Sequence, residues 1–213
     1  MPPERGRQPD LVSEPVPDGT PAAFFDQLYA RNLDPWAFET SAYERAKYTA
    51  TLAELPPQIG RGFEIGCSIG VLTQQLAARC TSLLAVDVAT AALARAQERC
   101  ASLMHVEIRK MTVPQEWPAG TFDMILWSEV LYFLGSESIR AAARRTREAL
   151  APGGVVVLVN WFGSTGTSLT GDAAATLFIA EAGLASDLGR RTAAYRLDRL
   201  CHAGAAGAGT QPS

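Results

Sequence analysis

Two short segments that combine glycines with carboxylates constrain the fold of this chain most. Residues 63–70 read Phe-Glu-Ile-Gly-Cys-Ser-Ile-Gly, and the next apolar run, 83–86, ends in Asp87, 21 positions after Gly66. This spacing is typical of two neighbouring strands in a doubly wound α/β sheet. Gly66 lets the backbone turn sharply and approach a ligand, and Gly70 lets the following helix pack close to the strand. We therefore expect a nucleoside-binding edge, at which Asp87 accepts hydrogen bonds from a ribose diol.

The charge at the first turn distinguishes between two kinds of nucleotide ligand. The dinucleotide fingerprint G-x-G-x-x-G has a middle glycine that allows a pyrophosphate to sit at the helix N-terminus. Here Ser68 stands near the place of that glycine, and Glu64 precedes the first one. A carboxylate repels phosphate and attracts a cation, so the ligand that fits is S-adenosylmethionine, an adenosine that carries an amino acid and a sulfonium. The alternative is that the two glycines only mark a turn, but Glu64 and Asp87 in register favour the cofactor site.

Hydrophobic periodicity predicts alternating strands and helices over most of the chain. Two helices, 22–30 and 41–55, precede the sheet and are expected to fold over its ligand edge as a lid; Ser41 and Glu44 form a capping-box pattern. The alternation that follows implies a parallel sheet with right-handed crossovers. Strands are expected near 61–66, 82–87, 104–109, 122–128 and 154–160, and helices near 70–80, 89–101, 136–151 and 173–183.

The two ends of the chain have compositions that disfavour a packed fold. Residues 1–21 hold six prolines among charges and glycines, which leaves too little apolar surface to order them. Residues 203–213 are rich in glycine and alanine. We therefore expect a disordered arm over 1–21, one domain over 22–202 and a flexible tail over 203–213.

Several segments in chain order resemble the successive motifs of class I S-adenosylmethionine-dependent methyltransferases, and others resemble the nodulation-protein-S (NodS-like) branch of that class. The class motifs are at 63–73, 84–88, 122–126 and 150–154, and the branch motifs are at 34–36, 41–48 and 129–134. The resemblance implies a single doubly wound, mostly parallel, Rossmann-like sheet with N-terminal lid helices. It also implies two further strands that form an antiparallel hairpin. Only one, 195–201, is legible, and residues 203–213 after it have too little apolar weight for a strand, so the last antiparallel strand is not predicted.

The cofactor contacts follow from the turns and from this resemblance. Glu64 is expected beside the methionine amino group, and Val88 against the adenine. The resemblance places Met111 and Thr112 on the other side of the base, although Glu107 and Glu116, the nearest acids, are out of register for the adenine amino group. The candidate cofactor-binding residues are Tyr43, Glu64, Gly66, Cys67, Ser68, Gly70, Asp87, Val88, Met111, Thr112 and Ser128.

The acceptor side is expected after the fourth strand. An amine must be neutral to attack, and a carboxylate within hydrogen-bond reach can receive its proton. Glu129 is the candidate catalytic residue, with helix capping as the alternative role. The candidate substrate-binding residues are Trp36, Glu129, Tyr132 and Trp161; the aromatic ones also fit a purely structural role.

The predicted function is N-methylation of an amino group on a small molecule or amino sugar. The resemblance implies a deacetylated chitooligosaccharide as acceptor. One alternative is O-methylation of a small metabolite or sugar hydroxyl, and another is a non-catalytic cofactor-binding domain. Methyl transfer from a sulfonium requires no metal, since the protein mainly positions the reactants and excludes water.

Composition excludes other classes of function. The net charge of −3 and the absence of a basic cluster argue against a nucleic-acid surface. No apolar run approaches the ~20 residues that cross a bilayer, so no membrane partner is expected and a cytoplasmic location is predicted. The four cysteines show no C-x-x-C spacing, which predicts reduced thiols rather than a metal set.

Overall fold

The computed structural model describes residues 19–163 and 166–204 and consists of one seven-stranded sheet with helices on both faces. The strands are β1 Ile59–Ile65, β2 Cys80–Asp87, β3 Val106–Lys110, β4 Phe122–Ser128, β5 Leu150–Trp161, β6 Ala185–Arg191 and β7 Tyr195–Cys201. The helices are α1 Ala22–Arg31, α2 Ala42–Ala53, α3 Val71–Ala77, α4 Thr90–Cys100, α5 Ser136–Ala149 and α6 Gly171–Ala182, with a 3₁₀ turn at Leu131–Phe133.

The strand order is β3-β2-β1-β4-β5-β7-β6, and the first five strands are parallel. The order reverses between β1 and β4, so the carboxyl ends of these two strands form the crevice where ligands bind in open α/β sheets. The carboxyl-terminal halves of both central strands are buried, as in Phe63 to Ile65 and Met124 to Trp127, because helices cover both faces of a parallel sheet. The predicted fold class is confirmed.

Two apolar cores lie on the two faces of the sheet. One core packs Phe63, Trp127 and Tyr132 with Phe178 of α6. The other packs Leu126 of β4 with Tyr48 of α2 and residues of α3. Helix α2 is therefore part of a core as well as a cover for the ligand edge.

The antiparallel hairpin is complete, which corrects the expectation that only one of its strands is present: the partner of 195–201 is β6, which precedes β7 in the chain. Strand β7 pairs antiparallel with β5 and with β6 at the sheet edge. Strand β6 reads Ala-Ser-Asp-Leu-Gly-Arg-Arg and is mostly exposed, and its register shifts between Ser186 and Leu188. An exposed edge strand with a bulge needs no apolar alternation, so the sequence pattern does not reveal it.

The predicted arm over 1–21 lies mostly outside the described residues, as does most of the predicted tail. The described part of the arm contacts the domain: the Thr20 N–H donates to the Phe133 carbonyl at 2.7 Å. The domain limits otherwise stay predictions. Within the described ranges, no helix is long and apolar enough to cross a membrane.

Candidate cofactor and acceptor site

A cavity of about 310 Å³ opens at the carboxyl ends of β1, β2 and β4, beneath α1 and α2. A smaller pocket of about 30 Å³ adjoins it. Ten of the candidate residues line the large cavity: Trp36, Gly66, Ser68, Asp87, Val88, Met111, Thr112, Ser128, Glu129 and Tyr132. Glu64 and Cys67 line the small pocket, whereas Tyr43, Gly70 and Trp161 line neither.

The turn after β1 requires glycine at two positions for different reasons. Gly66 has φ of 85°, and a Cβ there would lie 2.3 Å from Val130 Cγ2, so only glycine fits beside the cavity. Gly70 has φ of 79°, and a Cβ there would lie 2.9 Å from Ala96 Cα in α4. Gly70 therefore permits close packing of the loop against α4, whereas the sequence analysis expected close packing of α3 on the strand.

Asp87 ties this turn to the loop after β2. Its Oδ2 accepts the Ser68 N–H and its Oδ1 accepts the Ala89 N–H, both at 2.9 Å. Burial raises the pKa of Asp87, and these backbone hydrogen bonds offset part of the rise. Each carboxylate oxygen has a second lone pair, so Asp87 can also accept the hydroxyl of a ligand.

Glu64 is a buried carboxylate without a protein partner. It is 1% exposed, and neither oxygen has a hydrogen-bond partner. Burial raises the pKa of Glu64 to about 7, and the charge of Asp87 adds to this rise. The nearby Thr73 hydroxyl opposes the rise, although its contact with Glu64 lacks hydrogen-bond geometry. Because a buried charge needs a compensating group, a cationic ligand group fits the small pocket that Glu64 lines.

The three residues expected to enclose the adenine share one cavity, and the two nearest acids lie outside it. Val88, Met111 and Thr112 line the same cavity. Glu116 accepts the Thr112 backbone N–H, and exposed Glu107 pairs with Arg109. Neither acid lines the cavity, in agreement with the out-of-register spacing.

Glu129 is the most heavily bonded carboxylate of the site. It follows β4 with φ of 59°, a conformation that turns its side chain away from the strand direction at some steric cost. Its Oε1 accepts Lys47 Nζ at 2.6 Å. Its Oε2 accepts the Tyr132 hydroxyl at 2.8 Å and the Trp161 backbone N–H at 2.9 Å. The protein therefore compensates Glu129 itself.

Lys47 and Glu44 are members of the site that the sequence analysis did not identify. They lie three residues apart on α2, and Lys47 Nζ donates to Glu44 Oε1 at 3.0 Å. The Ser41 hydroxyl does accept the Glu44 N–H at 3.3 Å, as the capping-box pattern predicts, but the Glu44 side chain turns to Lys47. Burial would lower the pKa of Lys47, and Glu129 and Glu44 together raise it above its ordinary value. The amphipathic spacing of residues on α2 was the sequence signal that could have identified Lys47 and Glu44 as members of the site.

The charged side chains that line the two cavities are unbalanced. Within the described ranges they comprise four carboxylates, Glu44, Glu64, Asp87 and Glu129, and one cation, Lys47. An uncompensated buried carboxylate is destabilising unless it is neutralised or paired. The cavities are therefore suited to a ligand, or a pair of ligands, with a net positive charge.

The three aromatic candidates have different positions. Trp36 lines the cavity and packs on Tyr29, with ring centroids 5.6 Å apart. Tyr43 lies outside the cavity, where its ring faces Lys47 Nζ at 5.1 Å and packs on Tyr195. Trp161 reaches the site only through its backbone N–H, and its ring packs against the core beside α6.

The chain is similar to proteins of one family. The family model of nodulation protein S (NodS) matches residues 22–207. Nodulation protein S from Rhizobium tropici is 34% identical over 139 residues, 62% of this chain and 58% of that protein. The protein of the same name from Sinorhizobium fredii is 34% identical over 127 residues, 58% of this chain and 59% of that protein.

A crystal structure shows the same fold. The N-methyltransferase NodS from Bradyrhizobium japonicum WM9, in complex with S-adenosylhomocysteine, has a TM-score of 0.72 and 26% identity. The match covers 84% of this chain and 98% of that one. The matched part of this chain thus spans less than two thirds of the two curated relatives but nearly all of the crystallised protein.

Proposed function

The chain belongs to the nodulation protein S family of S-adenosylmethionine-dependent methyltransferases, which confirms the resemblance drawn from its sequence. From this premise we propose that it methylates an amino group of a small acceptor. The observation that carries this proposal is the excess of carboxylates in a site whose Glu64 has no protein partner. Both the cofactor and a protonated amine bring the positive charge that the site lacks.

The residues present fit the cofactor group by group. Glu64 would hold the methionine ammonium, and the backbone of Gly66 to Ser68 would border the amino-acid end. Lys47, the cation of the cavity wall, would receive the carboxylate, and Asp87 the ribose diol. Val88, Met111 and Thr112 would enclose the adenine. When bound, S-adenosylmethionine supplies a methyl group on a sulfonium, which becomes a neutral thioether as the acceptor nitrogen takes the methyl.

The acceptor group is assigned by charge. The cofactor carries two positive groups and one carboxylate, so its net single charge leaves the four-carboxylate wall still negative. An ammonium reduces this remaining negative charge, whereas a hydroxyl acceptor leaves it unchanged. Glu129 would accept the proton that the ammonium must lose before its nitrogen can attack, and the proton would then pass to water.

An amino sugar is the acceptor class that we propose, in line with the acceptor that the resemblance implies. Trp36 supports this choice because it lines the same cavity as the carboxylates, and an aromatic face suits both a sugar ring and a cation. The cytoplasmic location predicted from the sequence stays a prediction.

The test is a methyl-transfer assay with the purified protein and S-adenosylmethionine. Glucosamine and a fully deacetylated chitooligosaccharide are the test acceptors, and the N-acetylated sugars are the matched controls. Mass spectrometry with fragmentation should locate the added methyl on nitrogen in the amino sugars and find none in the acetylated ones. A methyl group on oxygen, or equal transfer to both sets, would contradict the proposal.

A further inference from the structure

Lys47 is a buried cation that two carboxylates share. Its side chain is 3% exposed, and Nζ lies 3.0 Å from Glu44 and 2.6 Å from Glu129. These hydrogen bonds use two of its three N–H donors. Since a lysine ammonium is a compact charge on a flexible four-carbon stem, it can reorient among neighbouring acceptors without moving α2.

The two oxygens of Glu129 are held by different kinds of partner. Oε2 accepts from the Tyr132 hydroxyl and from the Trp161 backbone N–H. Tyr132 lies in the 3₁₀ turn after β4, and Trp161 is the last residue of β5. Among the described residues, Oε1 accepts only from Lys47. Withdrawal of Lys47 would therefore free Oε1 alone, while the bonds to Oε2 keep the carboxylate in place.

The cofactor brings a carboxylate of its own into this site. Desolvation of that carboxylate beside Glu44, Glu64 and Glu129 is unfavourable unless a cation pairs with it. Lys47 is the cation that the cavity walls offer within the described ranges. Lys47 has a third N–H donor, but its single positive charge cannot compensate three carboxylates, so the incoming carboxylate and Glu129 compete for the charge of one ammonium.

We propose that Lys47 is a positioning residue that changes partners: it neutralises Glu129 in the empty protein and turns towards the cofactor carboxylate when the cofactor is bound. Glu44, three residues earlier on the same helix, keeps Lys47 anchored in both states. Glu129 Oε1 then accepts the acceptor ammonium only in the cofactor complex. This inference rests on the proposed function and adds to it an order of binding, with the cofactor first.

The order has a physical reason. In the empty protein an acceptor ammonium would meet Lys47, a like charge, at the oxygen that it needs. Two cations at one carboxylate repel each other strongly in a site of low dielectric constant. After Lys47 turns away, the same oxygen is an uncompensated acceptor. Cofactor binding therefore raises the affinity for the amine through the protein, in addition to any direct contact between the two ligands.

The change of partner is measurable without catalysis because the chain has two lysines, Lys47 and exposed Lys110. Protein labelled with ¹⁵N in lysine should give two ammonium signals by NMR, and Lys110→Arg assigns them. S-adenosylhomocysteine should shift the Lys47 signal. Decarboxylated S-adenosylhomocysteine, which lacks only the carboxylate, should leave the Lys47 signal as in the empty protein. The Lys110 signal is the internal control and should respond equally to both ligands.

The effect on the acceptor side is tested by calorimetric titration with glucosamine. The affinity should be roughly 10-fold or more higher with S-adenosylhomocysteine bound than with its decarboxylated analogue, within the usual range of coupling between two sites. N-acetylglucosamine, which has no ammonium, should show no such difference. Equal glucosamine affinity in the two complexes, or a Lys47 signal that responds equally to both cofactor products, would overturn the inference.

These outcomes separate the inference from the function on which it rests. If the protein methylates no amine in the transfer assay, the proposed function is wrong. The Lys47 signal needs neither acceptor nor turnover, so it still reports whether the lysine follows the cofactor carboxylate.

Discussion

Buried Glu64 and half-buried Glu129 are carboxylates at the ends of the neighbouring strands β1 and β4, but their partners differ. Glu64 has no hydrogen-bond partner, and burial raises its pKa to about 7. Glu129 accepts three hydrogen bonds, one of them from buried Lys47. The comparison shows that one carboxylate of the cavity is left without a partner and that the other is paired with a lysine; the first is the end of the site that we propose for the cofactor, and the second is the end that we propose for the acceptor.

The largest expected effect concerns the compensated end. Lys47→Met removes the cation and leaves buried Glu44 and half-buried Glu129 without it. It should therefore lower the free energy of unfolding by about 3 kcal/mol, the lower end of the scale for breaking a buried pair. Lys110→Met is the matched control at an exposed lysine and should stay within about 0.5 kcal/mol of the parent. Urea unfolding followed by circular dichroism gives both values. A loss at Lys47 no larger than at Lys110 would mean that Glu129 is not compensated by this lysine.

The next effect is on turnover. Glu129→Gln keeps the shape but removes the charge, so an amine acceptor should be methylated roughly 10²-fold more slowly near neutral pH, the scale of a positioned general base. The loss should shrink at high pH, where the free amine predominates. The affinity for S-adenosylhomocysteine should rise, because its carboxylate no longer competes with the Glu129 charge for Lys47.

A control at the same carboxylate separates orientation from proton transfer. Tyr132→Phe removes one donor to Oε2 without changing the charge, and its loss in turnover should be smaller and constant with pH. If the Glu129→Gln loss is also constant with pH, Glu129 orients the acceptor and does not take its proton.

The positions of several residues at the ligand edge were predictable from the sequence because each belongs to a local pattern. Gly66, Asp87 and Ser128 stand at strand ends, and the ends of adjacent parallel strands meet at one edge. The same rule brought Glu129 into the cavity.

The sequence pattern could not give the partners of these residues. The contact between Lys47 and Glu129 joins residues 82 positions apart, and no local periodicity encodes it. Tyr43 and Trp161 were placed on the right segments, but the rotation of an aromatic side chain depends on packing. Strand β6 escaped detection because an exposed edge carries no apolar signal.

Substitution of Glu64, the carboxylate without a partner, should change the free energy of unfolding in the direction opposite to that of Lys47→Met. Since its folded-state pKa of about 7 lies above the ordinary 4.5, Glu64 contributes stability below pH 4.5 that is lost as the pH rises through about 7. Glu64→Gln should therefore raise the free energy of unfolding at pH 8 by about 1–3 kcal/mol. The same variant should bind S-adenosylhomocysteine roughly 10-fold or more weakly, because a hydrogen bond to a charged group is lost. A variant that is both less stable and unaffected in binding would show that Glu64 has a structural partner.

The smallest expected effect is the release of a fraction of a proton from Glu64 when S-adenosylhomocysteine binds. Asp87, Cys67, Cys80, Cys100 and Tyr48 surround Glu64, and each carries a raised pKa, mainly through burial. None of them is a cation, so the ligand ammonium is what would favour ionised Glu64.

Binding of S-adenosylhomocysteine should then release roughly 0.5 proton at pH 7, where about half of the empty molecules hold a proton on Glu64, and roughly 0.1 at pH 8. Calorimetric titrations in two buffers with different ionisation enthalpies measure this number. Glu64→Gln should abolish the release while the Lys110→Arg control retains it. No release at pH 7 would mean that Glu64 is ionised before the ligand arrives, and the contrast with Glu129 would then rest on hydrogen bonding alone. A release that persists unchanged at pH 8 would mean that another group supplies the proton.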